Sequence, residues 1–340
     1  MTDQYRAIRL ERFAEDFRSA CDIVAVPLTV PCPGEIRVRN RFCGVNGIFD
    51  TQIARNAVDY VPVKPPSFTG VEAIGTVDAV GPGVRDFAVG DAAVTVRFSG
   101  GYREANVGPA AGFALAPAAS REWLALASTG VSALLALEHV GAVQDGETVA
   151  ISAAAGGLGH LLVQLALYRG CTVIAVCGGP EKAEFVRGLG AHRVIDYRAE
   201  DVGAVLAAEF PRGIDVAIDT VSGAIFDAFL ANMAPLGRLV VAGAAADLEG
   251  RPEIVQAPRI VHSIYYKGVS VRGFMNGLLT PHWPAARARV FALFEAGHLK
   301  TSFDAVPFRG LEGIYGAVER LLSGQSMGKV VVDLSPGDGQ

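Results

Sequence analysis

Along residues 35–42, Glu-Ile-Arg-Val-Arg-Asn-Arg-Phe, charged side chains alternate with apolar or amide ones at every second position. A period of two predicts a half-buried strand. Similar short runs recur at 6–10, 75–80 and 92–97, with Gly/Pro turns between them at Pro33-Gly34, Gly81-Pro82-Gly83 and Gly90-Asp91. Residues 1 to about 120 therefore predict a small antiparallel barrel or sandwich. A helical stretch begins near Glu122, and from Thr148 the grammar changes. Strand-like runs at 148–152, 172–177, 193–196, 215–219, 238–242 and 269–272 are mostly separated by apolar helical stretches. That alternation predicts a parallel, doubly wound α/β sheet. The tail, 301–334, ends in a further predicted strand at 329–334. No internal repeat is present.

Composition narrows the function classes. The chain has 340 residues, 51% of them hydrophobic and 19% charged, which suits about two domains with buried cores and excludes a disordered chain. A formal net charge of −5 argues against a phosphate-backbone binder. No stretch reaches the ~18 uncharged apolar residues of a membrane span. The first 22 residues mix Arg, Glu and Asp with apolar positions, unlike a signal peptide. Five cysteines (Cys21, Cys32, Cys43, Cys171, Cys177) give an odd number without a C-x-x-C pair. Neither a disulfide framework nor a zinc knuckle is indicated, and a reduced, cytoplasmic setting is expected.

The chemistry concentrates at one turn. Val149-Ala150-Ile151-Ser152 runs into Ala153-Ala154-Ala155-Gly156-Gly157-Leu158-Gly159, and Leu161, Leu162, Leu165 and Ala166 then follow at helical spacing. Ala153, Gly156 and Gly159 form an A-x-x-G-x-x-G dinucleotide fingerprint. Small residues there let the backbone turn tightly, approach a pyrophosphate and pack helix on strand. The helix N-terminus offers free N–H groups and a positive dipole end. An NAD site usually carries an acid at the tip of the second strand, but here the tip reads Cys177-Gly178-Gly179. Lys182 and Tyr197, with Arg198 a weaker third, are candidates for an adenosine phosphate. Glu181, the competing acid, is expected in the first turn of the next helix. NADPH is the expected cofactor.

A metal is not expected. A catalytic zinc needs about three protein ligands and an open position. Cys43 is the one candidate in a plausible place, but the stretch that should supply a His partner reads Gly70-Val71-Glu72, and the six histidines are scattered. Cys43 then reads as a packed core residue, and His160 as a partly buried or capping one.

Taken together, these stretches resemble the medium-chain dehydrogenase/reductase superfamily, in its zinc-independent quinone oxidoreductase and prostaglandin (enone) reductase branch. The matching segments are Cys43-Gly44-Val45-Asn46, Pro65-Pro66 with Gly70 to Gly75, Val80 to Val84 with Gly90-Asp91, Ala153 to Gly159, Glu181-Lys182, Leu189-Gly190-Ala191, Val194 to Tyr197, and Gly328-Lys329-Val330-Val331-Val332. Residues 222–227 and 271–274 look closest to the prostaglandin reductases. The resemblance implies a GroES-like β-barrel catalytic domain, 1–121 completed by 300–340, and a Rossmann NADP-binding domain at 122–299. It implies that Ala155, Gly156, Gly157 and Leu158 line the pyrophosphate and that Gly178, Gly179, Lys182 and Tyr197 sit near the adenosine phosphate. Backbone at Val221, Gly243, Phe274 and Met275 would line the ribose and nicotinamide, with Lys329 a further contact. Many relatives carry Ser at position 178 or 179, so a hydroxyl contact is lost here. Where relatives often place a carboxamide shortly before the final Gly-Lys, this chain has Ser326, with Gln325 beside it. A homodimer joined along 269–272 is implied as well.

Without a Lewis acid or an obvious proton relay, hydride transfer to a simple ketone is disfavoured, because an alkoxide needs strong stabilisation. A conjugated enone, enoyl thioester or quinone spreads the charge. The resemblance names Asn46 as the first hydrogen-bond donor, Tyr60 as a proton donor in a variable loop, and Ser132 as a further contact. Asn46 reads equally well as a turn residue, and Ser132 as a helix residue bonding its own backbone. An apolar substrate pocket is expected from Tyr60, Tyr265, Tyr266, Phe274, Met275 and Leu278 or Leu279, unless the two tyrosines pack at a subunit contact. The loop 247–258 lacks the Tyr that assists some prostaglandin reductases, which argues against a prostaglandin-like substrate. The leading expectation is an NADPH-dependent reductase of activated C=C bonds. A quinone reductase and an NADPH-binding redox sensor or scaffold with little turnover are the alternatives.

Overall fold

The computed structural model describes residues 3–57, 62–95, 98–246 and 254–335. The chain divides into two compact units, Met1–Ser128 with Phe303–Gln340, and Thr129–Ser302.

Strand Glu35–Gly44 is the hub of the first unit. One edge pairs antiparallel with Glu72–Val80. The other pairs with Ala105–Pro109 along its first half and with Val331–Asp333 at its end. The sheet continues from Glu72–Val80 through Ala92–Thr95 to Phe113–Ala116. The period of two is realised: Ile36 and Val38 are buried, while Arg37 and Arg39 share Asp78 at 2.7 and 2.8 Å on the opposite face. A Cβ on Gly75 would stand 1.8 Å from the Arg39 carbonyl oxygen, so only glycine lets the two strands cross their register shift. A smaller sheet runs Cys21–Pro27, Gln4–Leu10, Ser67–Phe68. Helix Gly310–Leu322 buries Leu311, Ile314, Ala317 and Val318, one face at helical spacing, against Ile8, Leu10, Phe17 and Ile53.

Strands Cys21–Pro27, Ala105–Pro109 and Phe113–Ala116 were not among the expected ones. The first mixes exposures along its length, and the other two are short and rich in small residues. The last strand is Val331–Asp333 rather than 329–334. The carbonyls of Lys329 and Val330 instead accept from Asp304 N and Val45 N. Of the run at 92–97, Ala92–Thr95 is a strand, and Val96 and Arg97 lie outside the described residues.

In the second unit six parallel strands lie in the order Arg193–Asp196, Thr172–Cys177, Thr148–Ile151, Ile214–Asp219, Met233–Val241, Ser270–Gly273. This order reverses between Thr148–Ile151 and Ile214–Asp219, the switch point at which such sheets bind ligands. Strand Met233–Val241 starts five residues before the expected 238, because a register shift opposite Ile214/Val216 and left-handed Leu236 (φ 63°) carry it through Pro235 and Gly237. The helical run Arg121–Val140 is long and apolar enough to cross a membrane by length and composition, and most of it is buried inside the protein. Carbonyls at its C-terminal end are capped by arginines: Arg272 donates to Val140 O, and Arg238 to Gly141 O and Ala142 O. Arg238 also pairs with both oxygens of Glu147 at 2.8 and 2.6 Å. Burial alone would raise the Glu147 carboxyl, but these bonds outweigh it and hold it below its usual range.

Candidate active site

In the second unit the fingerprint turn is held by its own backbone. Gly156 N donates to Ala153 O, and Ala154 N to Val176 O on the neighbouring strand. Ala153 takes a positive φ of 44°. A Cβ on Gly159 would lie 2.3 Å from Ala153 O and 2.6 Å from Ala154 Cα, so helix Gly159–Tyr168 packs directly on the turn. His160 is wholly buried. Its Nδ1 lies 2.9 Å from Gly156 O and its Nε2 accepts from Ser302 N at 3.1 Å, which assigns the proton to Nδ1. It braces the turn from behind rather than merely capping.

Two further residues shape the switch point, and sequence reading missed both. Asp219, fully buried at the end of Ile214–Asp219, accepts from Ser152 Oγ (2.7 Å), Val221 N (2.9 Å) and Ser222 N (3.0 Å). Thr220 N donates to Ser152 Oγ at 2.8 Å. The Ser152–Asp219 bond therefore ties the two strands on either side of the reversal. The other carboxylate oxygen of Asp219, bonded by Ser222 N, holds Ser222 at a φ of 72°, a conformation L-residues rarely adopt. The available signal was a polar residue closing each of the two strand runs, Ser152 and Asp219. The loop after Met233–Val241 zips on: Ala245 N and Ala246 N donate to Thr220 O and Val221 O, and Gly243 leaves no room for a Cβ against Thr220 O. Phe274 N donates to Val241 O. Val221, Gly243 and Phe274 are thus drawn to one end of the sheet, with Met275 following Phe274.

At the second strand tip, Gly178 is explained by Tyr197. A Cβ on Gly178 would lie 2.6 Å from the phenol oxygen, so the ring occupies the space a larger side chain would need. Gly179 takes a φ of 94° and precedes helix Pro180–Gly188, whose first turn carries Glu181 and the half-buried Lys182. An acid does reach this tip, from the third strand. Asp196 Oδ1 accepts from Gly179 N (2.8 Å) and Arg198 N (3.0 Å), bonds that hold its carboxyl below the usual range. Its observed work is to pin the turn. Ser132 lies half-buried on helix Val131–Leu134. Tyr265, Tyr266 and Leu278 are exposed, and the two tyrosine rings pack edge to face at 5.3 Å. Tyr60 lies outside the described residues.

The first unit holds a buried polar cluster. Asn46 stands at the N-cap of helix Gly47–Ala54 but makes no capping bond. Its Nδ2 donates to Glu72 Oε1 at 2.9 Å, and its Oδ1 accepts from Lys329 Nζ at 3.4 Å. Lys329 Nζ also donates to Val45 O (3.0 Å) and pairs with Glu72 Oε1 (2.6 Å). Glu72 and Lys329 are both buried. Nearby, Tyr102 donates its hydroxyl to Asp50 Oδ2, both buried. Burial, chiefly, and the Glu72 charge push the Cys43 thiol up, so it stays protonated.

Comparison with known proteins places this architecture. Residues 32–120 match the alcohol dehydrogenase GroES-like domain and residues 157–292 the zinc-binding dehydrogenase family. Prostaglandin reductase-3 of Mus musculus is 35% identical over 318 residues, covering 91% of this chain and 83% of that protein. The chain belongs to the medium-chain dehydrogenase/reductase superfamily. It falls in the quinone oxidoreductase and prostaglandin reductase branch, and is an oxidoreductase of that family. A probable quinone oxidoreductase of Leishmania amazonensis is 32% identical over 337 residues, 97% of this chain and 98% of that one. The Escherichia coli quinone oxidoreductase, solved in complex with NADPH, superposes with a TM-score of 0.83 at 25% identity, covering 97% of this chain and all of that one.

The family model's zinc does not fit here. Val71 offers no ligand beside Cys43, and the Lys329 ammonium already neutralises Glu72 and repels a second cation. Among the described residues no three His, Cys, Asp or Glu side chains gather in a metal-holding group.

Proposed function

We propose that this member of the superfamily is an NADPH-dependent reductase that delivers hydride to an activated C=C bond of an enone or enoyl thioester. The observation that carries this reading is the Asn46–Glu72–Lys329 cluster, which offers a hydrogen-bond donor where a Lewis acid has no ligands. A neutral amide suits charge already spread over an enolate better than a localised alkoxide. When bound, NADPH supplies the hydride. The chain's own residues hold it: Ala155, Gly156, Gly157 and Leu158 at the pyrophosphate, and Gly178, Gly179, Lys182 and Tyr197 at the adenosine phosphate. Backbone at Val221, Gly243, Phe274 and Met275 holds the ribose and nicotinamide. Asn46, Tyr60 and Ser132 serve the acceptor, and Phe274 and Met275 favour an apolar one. The test is NADPH oxidation across enones, enoyl thioesters and quinones, repeated with NADH. Turnover on an enone with NADPH preferred is expected, and preference for NADH or for ketones would sink the reading. Quinones are the second acceptor class, supported by the Leishmania amazonensis relative. Binding of NADPH without turnover on the whole panel would shift weight to a sensor or scaffold.

Tyr197 gives a sharper check on the cofactor. Tyr197→Phe removes only the hydroxyl of a side chain that is 50% exposed, so stability should change little. NADPH affinity is expected to fall about fivefold with NADH affinity unchanged, the size of one lost hydrogen bond. Fluorescence titration measures both, and equal effects on the two cofactors would remove Tyr197 from the phosphate.

The protein is further proposed to work as a homodimer in the cytoplasm. Strand Ser270–Gly273 ends its sheet with Val271 exposed, and Val261, Tyr265 and Tyr266 are exposed on and just after helix Val261–Tyr265. All five cysteines are free, as a reducing compartment requires. Light scattering is expected to return twice the mass of one chain, and the mass of a single chain would refute the dimer.

A further inference from the structure

We propose that Glu72 and Lys329 are positioning residues that orient the Asn46 carboxamide. This rests on the reading of Asn46 as the donor to the acceptor's developing charge. Three observations support it. An Asn at a helix N-cap normally accepts from the N2 or N3 backbone N–H, an arrangement worth about 1 kcal/mol. Asn46 forgoes that bond, and its amide turns to the ion pair instead.

The pair then leaves the amide one orientation. The carboxylate only accepts and the ammonium only donates. Nδ2 must therefore face Glu72 and Oδ1 must face Lys329, because a flip would set oxygen against carboxylate and N–H against ammonium. One Nδ2 proton goes to Glu72, and the second is aimed by the same geometry.

Lys329 is also fully used. An ammonium has three N–H donors, and its three partners are Val45 O, Glu72 Oε1 and Asn46 Oδ1. Its influence on a bound acceptor or cofactor runs through Asn46. Glu72 receives both Nζ and Nδ2 on Oε1, while its buried Oε2 has no protein partner. The carboxylate is placed for those two groups rather than for its own saturation. Gly44, opposite Glu72 in the strand pairing, makes the room, since a Cβ there would lie 2.4 Å from Oε1.

The experiment is a double-mutant cycle. Lys329→Met, Glu72→Gln and the two together are made with Asn46 intact and with Asn46→Ala. The combined change removes both charges and guards against unfolding from one unpaired buried charge. With Asn46 intact, kcat is expected to fall about 30- to 100-fold, the scale of a misplaced oxyanion donor. NADPH affinity should stay within about twofold, and Lys329→Arg should restore most of the rate. In the Asn46→Ala background the same changes should cost nothing further. Additive losses, or a loss of NADPH affinity that parallels kcat, overturn the proposal. A second readout does not need turnover: the Asn46 side-chain amide signals in protein labelled with 15N-asparagine, assigned through Asn46→Ala. One of the two protons should be shifted and slow to exchange, and Lys329→Met/Glu72→Gln should abolish both features. If the wild type is inactive on every acceptor, the reductase reading fails while these signals still decide the clamp. Signals indifferent to the pair overturn it.

Discussion

Asp50→Asn is expected to flatten the pH dependence of stability, removing a loss of about 3 kcal/mol that the wild type suffers between pH 5 and pH 8. Asp50 is buried on helix Gly47–Ala54 and accepts from the Tyr102 hydroxyl. Burial raises its pKa from 3.8 to about 7, outweighing the Tyr102 bond, the Asn46 backbone and the Lys329 charge, which all act to lower it. A carboxyl raised in the folded state binds its proton more tightly there than in the unfolded chain. Its stabilising contribution is complete below about 3.8 and is lost as pH climbs through about 7. Above that, a carboxylate sits buried against a phenol whose own pKa is pushed well up by burial and by Asp50. Asparagine keeps an acceptor for the Tyr102 hydroxyl and has nothing to titrate. Urea unfolding of both proteins at pH 5 and pH 8 measures the difference, in which other titrating groups cancel. Equal pH dependence in the two proteins would mean that Asp50 is ionised throughout.

The second large effect is expected at the fingerprint turn. Gly159→Ala sets a methyl 2.3 Å from Ala153 O and 2.6 Å from Ala154 Cα. Both are backbone atoms of a turn that is itself bonded to strand Thr172–Cys177, so no side chain can swing away. The turn must open, and the backbone N–H groups that should meet the pyrophosphate move with it. NADPH affinity is expected to fall at least about 100-fold, roughly 3 kcal/mol, together with a lowered Tm. Gly156→Ala meets only Ala153 O, at 3.2 Å, and should be milder. Fluorescence titration of the two variants gives the order directly. Binding within threefold of wild type in Gly159→Ala would show that the turn does not cradle the dinucleotide.

Much of this protein is legible in one dimension, and the reason differs from feature to feature. The alternation at 35–42 predicted its strand because burial on one face is a local period. The six runs from 148 onward predicted a parallel sheet because crossover helices must separate such strands. The missed strands Ala105–Pro109 and Phe113–Ala116 are short and carry weak patterns, and their pairing partners rather than their composition make them strands.

The sites divide along the same line. The tight turn through Ala153, Gly156 and Gly159 was readable because it is built within seven consecutive residues, where spacing is geometry. Gly178 was readable as a departure, but its cause is Tyr197, nineteen positions on, which only the pairing of Cys177 with Asp196 brings alongside. Ser152 and Asp219, 67 positions apart, meet because their strands are neighbours at the point where the order reverses. Asn46 lies 26 positions from Glu72 and 283 from Lys329. Taken one at a time, Asn46 reads as a donor or a turn residue and Lys329 as a cofactor contact, and Glu72 carries no role at all.

The sequence by itself therefore determined the two kinds of architecture and the tight glycine turn between strand and helix, since these follow from short-range periodicity and backbone sterics. The tertiary structure alone decided that Lys329 neutralises Glu72 and faces the Asn46 amide. Strands Glu35–Gly44, Glu72–Val80 and Val331–Asp333 pair side by side, and a buried carboxylate must be met there by whatever cation that pairing delivers.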